Sequence, residues 1–209
     1  MEMWMPLAVV LASYLVGSLS FAVIVSRLMG LNDPRSYGSK NPGATNVLRS
    51  GSKKAAILTL LLDACKGWLP VAGVLSWGGD HGLGPEVAAL AGLAAFLGHL
   101  YPVFFGFAGG KGVATAVGVV LGVHGTLALA TVMSFAIVLY FSRYVSLASM
   151  VAAVFAPVFY LFGDGVVWQA SGQEVICLAV MALLLIWRHR ENIQRLMAGT
   201  ESRLGSKKA

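Results

Sequence analysis

Long apolar runs constrain this chain more than any other feature of its sequence. About 20 consecutive apolar residues, rising about 1.5 Å each, cross the hydrocarbon core of a bilayer. Hydrophobic residues make up 57% of the chain and charged residues 11%, whereas soluble domains are about one-quarter charged. This composition excludes a cytosolic globular enzyme, a disordered chain and a secreted disulfide scaffold. We predict an all-α polytopic membrane protein whose spans lie in residues 4–29, 55–77, 87–107, 113–141, 145–162 and 175–187.

The stretch 113–141 is either one long helix or two helices broken near His124. Charge decides between them, because basic residues favour the cytosolic side of a membrane. With the break and an external N-terminus, every loop and tail lysine or arginine falls on the cytosolic side. We therefore predict seven transmembrane helices, with the N-terminus outside and the C-terminus cytosolic. Segment 113–123 is then too short to span alone, and its start must be buried in protein or line a cavity.

The sequence predicts a single domain and no structural role for its two cysteines. We predict one integral-membrane domain over residues 1–204 and a flexible tail over 205–209. Cys65 and Cys177 both lie in apolar runs, so the sequence indicates neither a disulfide framework nor a zinc site. We expect no metal and no cofactor. The net charge of +6 is typical of cytosolic loops in a membrane protein, and we expect no nucleic-acid partner.

A first polar cluster lies in residues 37–49, where glycine, proline, asparagine and serine predict a loop. Its hydroxyl, amide and guanidinium groups are suited to phosphate oxygens, and arginine binds them bidentately. The alternative is an ordinary connecting loop near lipid head groups. The candidate ligand residues are Ser39, Asn41, Thr45, Asn46 and Arg49.

A second cluster, residues 107–115, places glycines and a lysine directly before a helix. Free backbone N–H groups, the positive end of the helix dipole and an ammonium group together make an anion site. The spacing does not match a Walker A loop, because Gly112 stands where a magnesium-binding Ser or Thr is needed. The alternative is close helix packing through glycines. The candidate residues are Gly109, Gly110, Lys111 and Gly112.

A third cluster lies in residues 187–196, where His189 and Asn192 would share one helix face. The same i, i+3 spacing predicts an ion pair between Arg188 and Glu191, and the i, i+4 spacing predicts one between Glu191 and Arg195. The alternative is an ordinary basic stop at the edge of the membrane.

Two smaller features lie on the predicted spans. Ser146 and Ser149 begin the sixth segment and share a face, although serines on membrane helices often bond only to backbone. Asp63 and Lys66 lie inside the second segment, where charges are costly and should pair or face a cavity. We favour a structural Asp63–Lys66 pair over a direct ligand role.

The three clusters together indicate more than each one alone. Arg49, Lys111 and His189 are distant in sequence but fall at one predicted membrane level. They supply cationic or proton-bearing groups with few carboxylates nearby. We expect an anionic, phosphorylated ligand in a pocket open to both cytosol and lipid.

The three motifs resemble those of the PlsY family, the bacterial acyl-phosphate:glycerol-3-phosphate acyltransferases. The resemblance rests on residues 38–49 (GSKNPGATNVLR), 98–115 (GHLYPVFFGFAGGKGVAT) and 188–196 (RHRENIQRL), in that order. It covers roughly residues 5–203. Lys40 stands where the family often has glycine, and Ala108 where it often has lysine.

The resemblance implies an inner-membrane enzyme that acylates the sn-1 hydroxyl of glycerol 3-phosphate with acyl phosphate. The products are lysophosphatidic acid and phosphate, and neither acyl-CoA nor acyl carrier protein is the donor. It implies essential roles for Ser39 and Arg49, a glycine–lysine loop that holds glycerol 3-phosphate, and support of activity by His189 and Asn192. It also implies that Glu191 supports the fold, and that an acyl-phosphate-producing enzyme and membrane lipids are functional partners.

An activated mixed anhydride needs no covalent enzyme nucleophile, and the sequence holds no adjacent Ser–His–Asp arrangement. We predict direct attack by the hydroxyl, with charge stabilised by Lys111, Arg49 and backbone N–H groups. The base is either His189 or the donor's own phosphate, and we favour the phosphate.

A transporter of phosphorylated metabolites is the main alternative. It would need polar residues along a path across the bilayer, but the predicted outer loops hold no Lys, Arg or Asn. A metal-dependent lipid phosphotransferase would need an Asp-rich magnesium cluster, which the sequence does not offer.

Overall fold

The computed structural model describes residues 4–205, and all regular secondary structure in that range is helical. The predicted all-α class is therefore confirmed. The predicted tail lies outside the described residues except for Gly205. The chain divides into two compact units, Met1–Val123 and His124–Ala209. The helices are α1 (Trp4–Gly17), α2 (Phe21–Leu28), α3 (Ala44–Leu48), α4 (Lys53–Trp77), α5 (Pro85–Leu100), α6 (Val113–Val123), α7 (Gly125–Ser142), α8 (Val145–Phe162), α9 (Gly172–Arg188) and α10 (Arg190–Met197).

The helices match the apolar runs closely enough to count candidate spans. Within residues 4–205, four are long and apolar enough to cross a membrane: α4, α5 with its following turn, α7 and α8. The number rises to six if each of the bent pairs α1–α2 and α9–α10 is one span. The short α6 and the break after it at His124 have the predicted bounds. Seven spans and the orientation of the termini stay predictions.

The first predicted span, residues 4–29, is divided into the two helices α1 and α2. α1 and α2 are bent by 43° at Ser18, Leu19 and Ser20. The Ser18 hydroxyl donates to the Tyr14 carbonyl at 2.9 Å, and the Lys66 ammonium donates to the Leu19 carbonyl at 2.7 Å. A helix break is tolerated inside a membrane protein where neighbouring groups satisfy the freed backbone. Hydropathy alone could not reveal the break, because the satisfying lysine comes from another helix.

Small residues allow the helices of the first unit to approach closely. A Cβ on Gly118 of α6 would lie 1.9 Å from the Ala64 carbonyl of α4, and one on Gly67 would lie 2.2 Å from the Thr115 carbonyl. Gly17 of α1 meets the Ala95 carbonyl of α5 in the same way. Such backbone contacts are typical of membrane helix packing. They fix α6 against α4, which in turn fixes the segment just before α6.

The buried charges in α4 form the predicted pair. The Lys66 ammonium lies 2.8 Å from the Asp63 carboxylate, and both side chains are almost fully buried. Removal of either partner alone would leave an uncompensated charge in an apolar interior.

The second unit contains α7 to α10 and begins its third helix with a complete cap. The Ser171 hydroxyl accepts from the Glu174 backbone N–H at 3.1 Å, and the Glu174 carboxylate accepts from the Ser171 backbone N–H at 3.3 Å. The Tyr160 hydroxyl donates to the same carboxylate. This cap starts α9 at Gly172, three residues before the predicted run, because capping satisfies N–H groups that hydropathy does not detect.

Candidate active site

The first loop, residues 37–49, is organised around the side chain of Asn46. The Asn46 amide oxygen accepts the Ser39 backbone N–H at 3.0 Å. The amide nitrogen donates to the carbonyls of Pro34 at 2.6 Å and Tyr37 at 3.2 Å. Asn46 is buried, and both of its N–H donors are used by loop backbone. The structure therefore shows Asn46 bonded to nearby backbone, and its ligand role stays a prediction.

Two left-handed backbone positions shape this loop. Gly38 has φ +59°, and a Cβ there would lie 2.3 Å from the Asn46 amide oxygen and 3.2 Å from the Arg49 Cδ. The glycine thus lets Arg49 pack across the start of the loop. Lys40 has φ 55°, a conformation that glycine adopts without strain. This backbone angle explains why a glycine would also fit at Lys40.

The glycine–lysine loop, residues 109–112, is packed tightly against the end of α5. A Cβ on Gly109 would lie 2.2 Å from the His99 carbonyl, and one on Gly110 would lie 2.2 Å from His99 Nε2. Gly112 has φ +83°, and a Cβ there would meet the Phe96 ring at 2.3 Å. No larger residue fits these positions without displacing backbone or a buried ring. These glycines therefore serve close packing, as the alternative interpretation predicted. Lys111 nevertheless lies just before α6, where the anion site was predicted.

The two loops are neighbours within the first unit. The same Cβ on Gly110 would lie 3.0 Å from the carbonyl oxygen of Pro42, which belongs to the first loop. Lys111 is half-buried, whereas Ser39, Thr45 and Arg49 are exposed. A cationic loop at the start of a helix thus borders a second loop rich in hydrogen-bond donors.

In the second unit, His189 forms the break between α9 and α10, which are bent by 56°. Its side chain is buried, and Nδ1 lies 2.8 Å from the Leu185 carbonyl. A carbonyl only accepts, so Nδ1 carries a proton and a neutral ring keeps its lone pair on Nε2. The backbone carbonyl of Leu185 thus orients the ring. At the level of sequence, only a neighbouring carboxylate was considered for this role.

Glu201 is the functional-site neighbour that sequence reasoning did not identify. Its carboxylate accepts from Ser146 at 2.7 Å, from Asn192 at 2.6 Å and from Arg195 Nε at 2.7 Å. The predicted Glu191–Arg195 pair is wrong, because Arg195 pairs with Glu201 beyond the end of α10. A lone acid in a basic tail was the only available signal. Helical spacing could not connect it to Ser146.

Ser149 differs from Ser146 in its contacts. Its hydroxyl donates to the Val145 carbonyl of its own helix at 2.8 Å. This is the backbone-bonded arrangement considered as the alternative for both serines. The segment after α10 also bonds to the turn before α8, where the Leu204 N–H donates to the Arg143 carbonyl at 2.7 Å.

We predict that Glu201→Gln destabilises the protein by about 2 kcal/mol at neutral pH, the scale of hydrogen bonds to a charged group. Burial acts to raise the pKa of Glu201, but the bonds from Asn192, Ser146 and Arg195 outweigh it and hold this pKa below its ordinary value of 4.5. A carboxyl with a lowered folded-state pKa stabilises the fold above its unfolded-state pKa and loses that effect as pH falls. The difference in thermal unfolding between the two proteins should therefore be constant above about pH 5 and shrink below it.

Glu191→Gln is the matched control, because Glu191 is exposed. We expect it to change the free energy of unfolding by less than about 0.5 kcal/mol. Unfolding of both variants is monitored by tryptophan fluorescence in detergent. A larger loss of unfolding free energy from Glu191→Gln than from Glu201→Gln would assign the fold-supporting role to Glu191.

Among residues 4–205, no group of three or more His, Cys, Asp or Glu side chains could hold a metal ion. The site residues that the structure describes offer cationic, hydroxyl, amide and backbone N–H groups. Their chemistry fits phosphate oxygens.

A sequence model of the glycerol-3-phosphate acyltransferases matches residues 7–199. The chain belongs to this family. Its relatives include the glycerol-3-phosphate acyltransferase of Albidiferax ferrireducens, 66% identical over 99% of this chain and 92% of that protein. The enzyme of the same name from Bordetella petrii is 63% identical over 96% of this chain and 94% of its own.

Solved structures of PlsY (YgiH), an integral membrane glycerol 3-phosphate acyltransferase, have the same fold. Its glycerol 3-phosphate form is 42% identical, with a TM-score of 0.86, and covers 96% of both chains. Its lysophosphatidic acid form is 41% identical, with a TM-score of 0.85, and covers 96% of this chain and 95% of that one. The resemblance to the PlsY family is thus confirmed. The convergence of Arg49, Lys111 and His189 on one cradle stays a prediction.

Proposed function

We propose that this protein transfers an acyl group from acyl phosphate to the sn-1 hydroxyl of glycerol 3-phosphate. The hydroxyl oxygen forms an ester bond with the acyl carbon, and the acyl–phosphate bond breaks. The products are 1-acyl-glycerol 3-phosphate and inorganic phosphate. The observation that carries this proposal is that the glycine–lysine loop borders the first loop, since a Cβ added to Gly110 would lie 3.0 Å from the Pro42 carbonyl oxygen, in a chain of this family.

In the first unit, the proposed phosphate contacts are Lys111 and the N–H groups of Gly109, Gly110 and Gly112. The ammonium and the dipole of α6 favour an anion at this position. Arg49 is suited to bind the second phosphate bidentately, because its guanidinium lies beside the first loop. The exposed or half-buried polar groups of that loop complete the donor set: Ser39, Asn41 and Thr45.

In the second unit, His189 and Asn192 are assigned by their family motif. Asn192 and Ser146 both bond to Glu201, so their orientation is fixed before any substrate arrives. We assign Asn46 and Ser149 to positioning of the backbone, on the contacts described above.

The proton of the attacking hydroxyl goes to an oxygen of the donor phosphate, which leaves protonated. The step then balances without an acyl-enzyme and without a protein base. His189 Nε2 is the competing acceptor, because Nδ1 donates to the Leu185 carbonyl.

His189→Gln separates these two routes. Glutamine has no basic nitrogen but can still form hydrogen bonds, so turnover should stay within about tenfold of the unaltered protein. Loss of a general base would cost about 10²–10⁴-fold. The measurement is single-turnover formation of lysophosphatidic acid, with His189→Ala alongside. Equal losses of that size in both variants would make His189 the base.

The proposed location is the bacterial cytoplasmic membrane, with the site facing the cytosol. Loop and tail basic residues support this orientation through the positive-inside rule. Glycerol 3-phosphate is charged and water-soluble, whereas the donor and product carry acyl chains. A site at the membrane surface gives both access, and the donor must come from an enzyme that makes acyl phosphate.

The function is tested with purified protein in detergent, comparing acyl phosphate, acyl-CoA and acyl carrier protein thioesters as donors. We expect lysophosphatidic acid and phosphate only with acyl phosphate, and no effect of a chelator. A transporter of phosphorylated metabolites would form neither product and would instead exchange labelled glycerol 3-phosphate in proteoliposomes. Product from acyl-CoA at a comparable rate would contradict the proposed donor.

A further inference from the structure

The first unit buries a polar cluster that the proposed chemistry does not use. Its members are Asp63, Lys66, His99 and Thr115, each 7% exposed or less. Charged and polar side chains inside a membrane protein are costly and are retained where they pair or serve a site. The Asp63–Lys66 pair satisfies its own charges and the Leu19 carbonyl, but it does not explain His99.

His99 lies between this charge pair and the start of α6. Its Nδ1 is 3.1 Å from the Thr115 hydroxyl and 3.6 Å from the Asp63 carboxylate. A carboxylate on this side favours the ring proton on Nδ1, where it points toward Thr115 and Asp63. The opposite nitrogen, Nε2, then faces away from the cluster.

The same residue touches the glycine–lysine loop through both backbone and side chain. The His99 carbonyl accepts the Gly110 N–H at 3.1 Å. Nε2 lies only 2.2 Å from where a Cβ on Gly110 would be. Thr115, which holds the other side of the ring, is the third residue of α6, directly after the loop. The imidazole therefore contacts residues on both sides of Lys111.

We infer that His99 is a positioning residue, whose ring, held by Thr115 and Asp63, fixes the glycine–lysine loop in the conformation that binds the phosphate of glycerol 3-phosphate. This inference rests on the proposed function, since it assigns that ligand to the loop. It predicts that buried groups behind the glycine–lysine loop control the affinity for one substrate and not for the other.

Thr115→Val tests the inference with little change of shape, because it replaces only the hydroxyl that touches the ring. Binding of glycerol 3-phosphate to purified protein, without donor, is measured by titration calorimetry. We expect Kd to rise about tenfold or more, since a small misplacement of binding groups has large effects. His99→Ala should raise it at least as much, and Thr115→Ser, which keeps the hydroxyl, should restore binding.

Thr131→Val is the matched control. Thr131 is a buried helical threonine whose hydroxyl donates only to the Leu127 carbonyl of its own helix, at 2.8 Å. This variant should bind glycerol 3-phosphate as the unaltered protein does.

In turnover assays, Thr115→Val should raise KM for glycerol 3-phosphate and leave KM for acyl phosphate within about twofold.

The binding measurements separate failure of the proposed function from failure of the inference about His99. If unaltered protein does not bind glycerol 3-phosphate, the proposed function fails. If it binds and Thr115→Val and His99→Ala bind equally well, the inference alone is overturned. A lower melting temperature with unchanged Kd would likewise overturn it, because it would reveal a purely structural cluster. Should His99→Ala not fold, Thr115→Val against Thr115→Ser decides.

Discussion

Replacement of Lys111 by methionine is expected to lower kcat/KM for glycerol 3-phosphate by about 10²–10³-fold, the effect of removing one preorganised charge or donor. Lys111 is half-buried and stands directly before α6. Its ammonium therefore acts together with the helix dipole in a partly dry environment, where charge is poorly screened. Methionine keeps the length of the side chain and removes only its charge.

Lys54→Met is the control for this change. Lys54 likewise lies near the N-terminus of a helix, α4, but it is exposed and outside both loops. It should retain activity within about twofold, since exposed charges contribute little. The measurement is release of phosphate and formation of lysophosphatidic acid in detergent. Equal, small effects of the two substitutions would remove Lys111 from the site.

Gly110→Ala is the second change with a large expected effect, a loss of activity of about 10²-fold or more, because a shift of about 1 Å in a binding group can cost that much. The new Cβ would lie 2.2 Å from His99 Nε2 and 3.0 Å from the Pro42 carbonyl. Neither is the far end of a flexible chain, so the loop or the buried imidazole must move. Lys111 would move with the loop.

The comparison for Gly110 is Gly79→Ala, where a Cβ would meet nothing within 4 Å and φ is not left-handed. It should leave both melting temperature and turnover unchanged. Gly110→Ala should purify as a helical protein by circular dichroism but fail in turnover. Full activity of Gly110→Ala would show that the glycine–lysine loop needs no fixed shape.

Local pattern determined most of the helices. Apolar length is a property of each segment alone, so α6 and α8 have the bounds predicted from residues 113–123 and 145–162. The break at His124 followed from charge, because one arrangement placed basic loops on a single side. The Asp63–Lys66 pair was also local, at three residues' separation within one helix.

The motifs also gave the family from sequence, because three segments in fixed order are specific in combination. Their residue types indicated a phosphorylated ligand, since guanidinium, ammonium and glycine N–H groups suit phosphate oxygens. The individual roles were less accessible. Asn46 was predicted as a ligand residue, and only the structure shows that its amide also bonds to the backbone of Ser39 and Pro34.

What sequence alone determined is which long apolar segments are helical, where the chain is polar and which family it belongs to. Tertiary structure decided which polar groups meet: Lys66 satisfies the carbonyl freed by the break after α1, and Glu201 collects Ser146, Asn192 and Arg195. It also brought His99 to Gly110, whose N–H donates to the His99 carbonyl at 3.1 Å, and placed Pro42 of the first loop beside Gly110. The physical reason is range. Hydropathy acts residue by residue along a segment, whereas a buried polar group must find its partner wherever the packed helices place one.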